Sequence, residues 1–152
     1  MSHKVTNQTL ATQRVRLWLH MLKAVRTVES ALRERLRKHF EMTLPRFDVM
    51  ATLYAVPEGL RMTELSEQLV VSSGNVTGIV EKLVEDGLVE RQSMENDRRA
   101  HLVKTTDKGR KLMEEATTAH RAWVDELLNE VSEPDVARAI SIMLDIRHAP
   151  RG

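Results

Sequence analysis

The sequence predicts a mainly α-helical chain carrying one small β-hairpin, and three observations predict it. Apolar residues recur at three- and four-residue steps through most of the 152 positions, the period of amphipathic helices. Two short alternating segments, Leu88-Val89-Glu90-Arg91 and Leu102-Val103-Lys104, flank a polar tip as hairpin strands do. Capping and turn residues fall between the periodic stretches, where helix ends need them.

Residues 11–39 read as one long helix, with Val15, Trp18, Leu22, Val25, Val28, Leu32 and Leu36 on one stripe. Leu17 and Met21 open a second stripe near its start. A helix apolar on two faces needs two packing partners, and a symmetry mate is the economical second one. Thr43 and Pro45 mark a fresh helix start, with Phe47, Met50, Ala51, Leu53 and Tyr54 on its buried side and Pro57-Glu58-Gly59 at its end. Thr63 is the expected cap of the next short helix, whose Leu65 and Leu69 point inward. Ser72 or Ser73 is the expected cap of the helix that follows, where Val76, Ile79, Val80, Leu83 and Val84 form a regular stripe. Gly87 sits where a left-handed C-terminal cap belongs.

After the hairpin, Thr106 or Asp107 starts another long helix with Leu112, Ala116, Ala119, Trp123, Leu127 and Val131 as its buried stripe. Ser132 and Asp135 form a capping box, with Pro134 in the first turn. Val136, Ile140, Met143 and Leu144 carry the final helix. Residues 1–10 and 148–152 are expected to be loose, and there is no internal repeat.

The chain length suits a single domain over residues 1–152. No cysteine is present, which excludes disulfides, thiolate metal sites and thiol redox sensing, and suits a reducing cytoplasm. No long uncharged apolar run suggests a membrane span, and MSHKVTNQTLATQ lacks the apolar core of a secretory signal. The net charge is only +1 but unevenly spread. Residues 14–38 hold Arg14, Arg16, Lys23, Arg26, Arg33, Arg35, Arg37 and Lys38 against Glu29 and Glu34. The hairpin region adds Arg91, Arg98, Arg99, Lys104, Lys108, Arg110 and Lys111. From residue 112 onward acids outnumber bases by eight to four. Such asymmetry suits a protein that turns one face to phosphates and another to water.

A short helix, a turn, a second helix and a hairpin with arginines at its tip can place the second helix in a DNA major groove. The buried stripe of that helix leaves Ser73, Gly74, Asn75, Thr77, Gly78, Glu81 and Lys82 facing outward. Asn75 suits an adenine edge, and Thr77 a thymine methyl or a phosphate. Gly74 and Gly78 each cost about 1 kcal/mol of helix propensity relative to Ala, a cost that close approach of another surface justifies. The tip reads Met94-Glu95-Asn96-Asp97-Arg98-Arg99-Ala100-His101. Arginine is favoured in a narrow minor groove, and Asp97 can orient a neighbouring arginine by a charge-assisted pair.

The arrangement resembles the MarR family of winged helix-turn-helix repressors over essentially the whole chain. Asp97-Arg98-Arg99-Ala100, followed by Thr105-Thr106 and Gly109, is similar to the family's wing signature. Ser73-Gly74-Asn75-Val76-Thr77, with Lys82-Leu83 and Asp86-Gly87-Leu88-Val89, is similar to its recognition helix and exit. The resemblance implies that Arg99 is the wing arginine and Asp97 its partner. It implies that Ser73, Asn75, Thr77 and Lys82 contact the major groove or phosphates, with Gly78 and Arg98 on the same surface. Two residues depart from the pattern: Gly78 stands where many members have arginine, and Lys104 replaces the usual leucine.

The resemblance further implies a homodimer on double-stranded DNA, with residues 11–39 and 107–147 as dimerisation helices around a winged unit at 43–106. Two recognition helices then lie about 34 Å apart on a pseudo-palindrome. No cofactor is expected, but a small-molecule effector is. Trp18, His20, Met21, Phe47, Met50 and Tyr54 are the candidate lining of its cleft. Arg16, Lys23, Arg26 and Arg46 are candidates to meet a carboxylate or the phosphates of a coenzyme A thioester. Ser-Gly-Asn-Val-Thr-Gly is similar to the recognition helix of regulators of aromatic-acid catabolism, so an aromatic carboxylate or aromatic acyl-CoA is the expected effector.

Other classes fit less well. The six histidines form no i, i+4 pair, and neither a glycine-rich phosphate loop nor a nucleophile elbow is present, so catalysis is not expected. A metal-responsive repressor of the same fold stays open, since ligands can converge from different helices. A winged-helix module that binds protein is the other alternative, although such a face is more often apolar than this one.

Overall fold

Cap chemistry sets most of the element boundaries. In the computed structural model, which describes residues 2–70, 75–94 and 97–152, Thr43 accepts a hydrogen bond from the Arg46 N–H and opens α2 (Leu44–Tyr54). Before it, α1 spans Ser2–Phe40. The helix therefore runs nine residues further toward the N-terminus than residue 11, through a segment expected to be loose. Glu41, at a φ of 50°, turns the chain between the two helices.

A two-residue strand, β1 (Leu60–Arg61), follows α2 and leads straight into α3 (Met62–Gln68). The sequence reading missed β1 and placed the cap of α3 at Thr63. Arg61 holds the cap position instead, because the Glu64 carboxylate reaches back to accept its N–H at 3.2 Å. Thr63 lies inside the helix. α4 (Val76–Glu85) is capped by Asn75 rather than by Ser72 or Ser73, which lie outside the described residues.

β2 (Val89–Met94) and β3 (Asp97–Thr105) complete an antiparallel sheet in the order β1-β3-β2. Much of the segment read as a polar tip is strand, since β3 begins at Asp97. The register runs from Val89↔Thr105 to Ser93↔His101 and then slips, so that Met94 faces Asp97. Lys104 pairs across the ladder with Glu90 at 3.4 Å, so the charge that replaces leucine there is accommodated on the surface.

Thr106 caps α5 (Asp107–Leu127) and Ser132 caps α6 (Glu133–His148), as the sequence indicates. The break between them falls at 128–132, which leaves Val131 outside α5 and exposed instead of on its buried stripe.

The core gathers Leu36 of α1, Phe47, Met50 and Leu53 of α2, Leu65 of α3, Val80 and Leu83 of α4, Val89 and Val103 of the sheet, and Met113 and Ala116 of α5. Burying each large side chain contributes about 1.5–3 kcal/mol. Phe47 stacks on His120 with ring centroids 4.6 Å apart, and burial pushes the His120 imidazole below its ordinary pKa. Trp123 packs against His39 and Phe40. Arg35 donates two hydrogen bonds, of 2.9 and 3.1 Å, to the Glu126 carboxylate and joins α1 to α5.

The joint between α4, the sheet and α5 is close. Gly87, at a φ of 72°, ends α4 in a Schellman motif in which the Leu88 N–H reaches the Leu83 carbonyl. The Thr106 hydroxyl donates to the Gly87 carbonyl at 2.6 Å, the Thr106 N–H to the Leu88 carbonyl at 3.1 Å, and Lys108 Nζ to the Asp86 carbonyl at 2.9 Å. α5 comes so near that a Cβ on Gly109 would lie 2.1 Å from the Leu88 carbonyl oxygen.

Candidate nucleic-acid interface

α4 presents its apolar face inward, with Val80 and Leu83 fully buried, and leaves Asn75, Thr77, Glu81 and Lys82 exposed. Asn75 does more than face outward. Its Oδ1 accepts the Gly78 N–H at 2.9 Å, satisfying one of the donors that every helix start leaves open. The folded-over amide also explains Gly78, because a Cβ there would lie 2.3 Å from Asn75 Nδ2. The cap and the glycine are one unit, and an arginine at position 78 is incompatible with this arrangement of Asn75. The Asn75 Nδ2 donor stays available for a base edge or a phosphate. Asn75→Ala therefore removes two things at once, with a capping loss of about 1 kcal/mol. Asn75→Ser keeps a capping oxygen and removes only the amide donor. The expected result is near-wild-type stability with relaxed base preference at one position per half-site, read by anisotropy on a panel of single-base operator variants. Uniform weakening on all of them would reassign Asn75 to a phosphate.

The chain just beyond α3 is held from behind. Asp48, on α2 and only 8% exposed, accepts the Val70 N–H through Oδ2 at 2.9 Å, while its backbone carbonyl accepts the Thr52 hydroxyl. Val70 itself is 88% exposed. Sequence reasoning missed Asp48. The available signal was an acid flanked by Phe47 and Val49 on a helix that is apolar nearly all round.

At the other end, Arg46 Nη2 pairs with Asp86 Oδ2 at 2.7 Å and ties α2 to the last turn of α4. Lys82 lies 3.5 Å from Glu85 and keeps an exposed ammonium. Ser73 falls outside the described residues, as do the side chains of Asp97, Arg98 and Arg99, whose backbone belongs to β3.

The candidate effector residues are not brought together within one chain. Trp18 and His20 are exposed and Met21 is half-buried on α1, whose residues 9–20 are exposed throughout. A straight helix rises about 1.5 Å per residue, so Trp18 lies roughly 27 Å along α1 from Leu36, where that helix meets the core. Met50 is wholly buried, Tyr54 packs against the core, and Arg46 is committed to Asp86. Among the described residues no three His, Asp or Glu side chains converge as a metal site, and no helix is long and apolar enough to cross a membrane.

A helix-turn-helix whose outward face is polar, continued by an antiparallel wing, is the geometry of a DNA reader. The MarR family model matches residues 42–101. A crystal structure of a MarR family transcriptional regulator from Silicibacter pomeroyi is similar to the chain at 34% identity, covering 91% of this chain and 95% of that one with a TM-score of 0.78. The chain belongs to the MarR family. Like other MarR proteins it is a transcription regulator and not an enzyme. The HTH-type transcriptional regulator MhqR of Bacillus subtilis is 25% identical over 122 residues, which are 80% of this chain and 83% of that relative. A mutant MarR from E. coli complexed with operator DNA shares the fold, with a TM-score of 0.78 at 24% identity over 91% of this chain and 96% of that one.

Proposed function

We propose that this MarR protein is a homodimeric repressor that grips a pseudo-palindromic operator and releases it when a small aromatic carboxylate or its coenzyme A thioester binds. The observation that carries the dimer is apolar surface with no cover on the same chain. Val15, Trp18 and Val25 on α1 are 55–58% exposed, Ile140 on α6 is 56% exposed, and no residue of α6 is buried. Leu17, Leu19, Ile142, Leu144 and Ile146 extend the same two helices' exposed apolar surface. Obligate dimers typically cover upward of about 2,000 Å² of such surface. A second copy of both helices supplies the cover and sets two α4 helices on one duplex.

The effector reading draws on Trp18 and His20 standing exposed on the stretch of α1 that also carries Arg14, Arg16 and Lys23. An aromatic ring with a carboxylate or phosphate suits that chemistry, and the partner's helices would close the cleft that one chain leaves open. Such a ligand needs a preference of about 1–3 kcal/mol for the DNA-free geometry to act as a release signal.

Fluorescence anisotropy on DNA from the protein's own promoter region, against random DNA and across a salt series, tests the regulator. Sedimentation of the free protein tests the dimer. Arg99→Ala is expected to weaken operator binding at least about tenfold, roughly the 1.4 kcal/mol that one or two charge-assisted contacts supply, and to leave sedimentation unchanged. Unchanged affinity would sink the wing assignment. Aromatic acids and their coenzyme A esters can then be added as releasers in the same cuvette.

A further inference from the structure

Every helix start leaves backbone N–H donors open, and an ordinary cap closes one of them without restricting the residue three places on. Four other caps among the described residues, Thr43, Arg61, Thr106 and Ser132, hold ψ between 154° and 173°. Arg46, Glu64 and Asp135 carry full side chains at the third position after three of them, and the fourth, Gly109, is small because of the Leu88 carbonyl. Asn75 departs from this pattern. At φ −141° and ψ 69° its amide lies folded across the first turn of α4, and Nδ2, Cγ and Oδ1 all fall within 2.9 Å of where a Cβ on Gly78 would stand. Helical Cβ atoms tilt toward the N-terminus, so any other residue at position 78 drives a carbon into that amide. The surface whose close approach Gly78 permits is its own helix cap.

That fold-over decides what a base edge meets. Asn75 Oδ1 accepts the Gly78 N–H at 2.9 Å and keeps a second lone pair, while Nδ2 stays available as a donor. The amide is thus held in one orientation before DNA arrives, whereas a freely rotating asparagine on an exposed helix has to be ordered on docking. We propose that Gly78 is a positioning residue for sequence recognition. With no side chain to offer the operator, it sets the base preference of α4 by leaving the space that fixes the Asn75 amide. This rests on the reading of α4 as the groove helix and deepens it, by placing a determinant of specificity on a residue that has no base-reading group. Gly78→Ala isolates the effect, because its two consequences for stability oppose. Alanine gains about as much helix propensity over glycine as the displaced cap removes, so the fold is kept while the amide is moved.

The test is a double-mutant cycle read both on DNA and off it. Full-length wild type, Gly78→Ala, Asn75→Ser and the double variant are measured by anisotropy on the promoter operator and on a panel of its single-base variants. Gly78→Ala is expected to lose at least about fivefold of the preference at the position per half-site that Asn75→Ser relaxes, the lower end of what a base-edge contact discriminates. In the Asn75→Ser background it should add nothing, since the amide is already gone. Off DNA, hydrogen exchange at the position-78 backbone amide should be faster in Gly78→Ala, whose acceptor has been displaced. Its melting temperature should stay within about 4 °C of wild type. A wild-type preference profile in Gly78→Ala overturns the proposal, as does unchanged exchange at position 78. A loss of full size in the Asn75→Ser background also overturns it, by making the added methyl a direct obstacle to DNA. A wild type with no preference anywhere on the panel overturns the groove reading itself and the proposal with it.

Discussion

Gly109→Ala should destabilise the protein by about 3 kcal/mol or more, the upper part of the range for overpacking a close contact. In a chain of this size that is a fall in melting temperature of roughly 6–12 °C. The added methyl group has nowhere to go, because the atom it meets at 2.1 Å is the Leu88 backbone carbonyl oxygen, and Met50 closes the site from the other side at 3.3 Å. A side-chain neighbour could rotate away, but a carbonyl held by the Thr106 N–H cannot. Relief requires α5 to lift from the sheet, opening the cap of α5 and exposing Met113. Thermal and urea unfolding at one fixed protein concentration measure the effect, since dimer stability depends on concentration. A loss below about 1 kcal/mol would mean that α5 sits further from Leu88 than described.

Asp48→Ala is expected to cost about 1.5–3 kcal/mol, the range for a hydrogen bond accepted by a charged group, and to reduce operator affinity at least tenfold. The second effect is the more diagnostic. Asp48 is buried on α2, yet it holds the Val70 N–H and so fixes where the chain leaves α3 on its way to α4. Losing it frees the turn, and the recognition helix then pays an ordering cost each time it docks. Stability and affinity measured on one preparation separate the outcomes. A variant with lowered stability and full operator affinity would show that the turn is held without Asp48.

The elements legible in the sequence are those decided by local chemistry. Thr43, Thr106, Ser132 and Gly87 do what their positions suggest, because a cap needs only a side chain or a φ and the helix next to it. The stripe on α4 survives for the same reason at Val76, Ile79, Val80 and Leu83, whereas Val84, counted in it, is exposed. What escaped reading depends on partners distant in the chain. Leu60-Arg61 is a strand only because it pairs with Leu102-Val103, some forty residues later, and two residues are too few to show alternation. The long stripe on α1 is legible as apolar, but only its last members, Leu32 and Leu36, are buried by their own chain. Asn75 was read as a groove residue when it is also a cap, since the cap position depends on how the chain approaches the helix. Gly109 reads as part of a family signature, and its physical reason, the Leu88 carbonyl, appears only in three dimensions.

The hydrogen bonds from Thr106 and Lys108 to Asp86, Gly87 and Leu88 have a mechanical consequence. They weld the tail of the recognition helix to the head of α5, so tip and shaft form one rigid jaw. α5 has 21 residues and is thus about 31 Å long. Tilting a shaft of that length by about 5° carries its end roughly 3 Å, close to the 3.4 Å step between neighbouring base pairs. The proposed dimer is then a caliper whose two jaws must match a fixed gauge on the duplex. An effector wedged near the pivot has no need to reshape either tip. On the proposed reading, it would loosen the grip by setting the opening one base pair wrong.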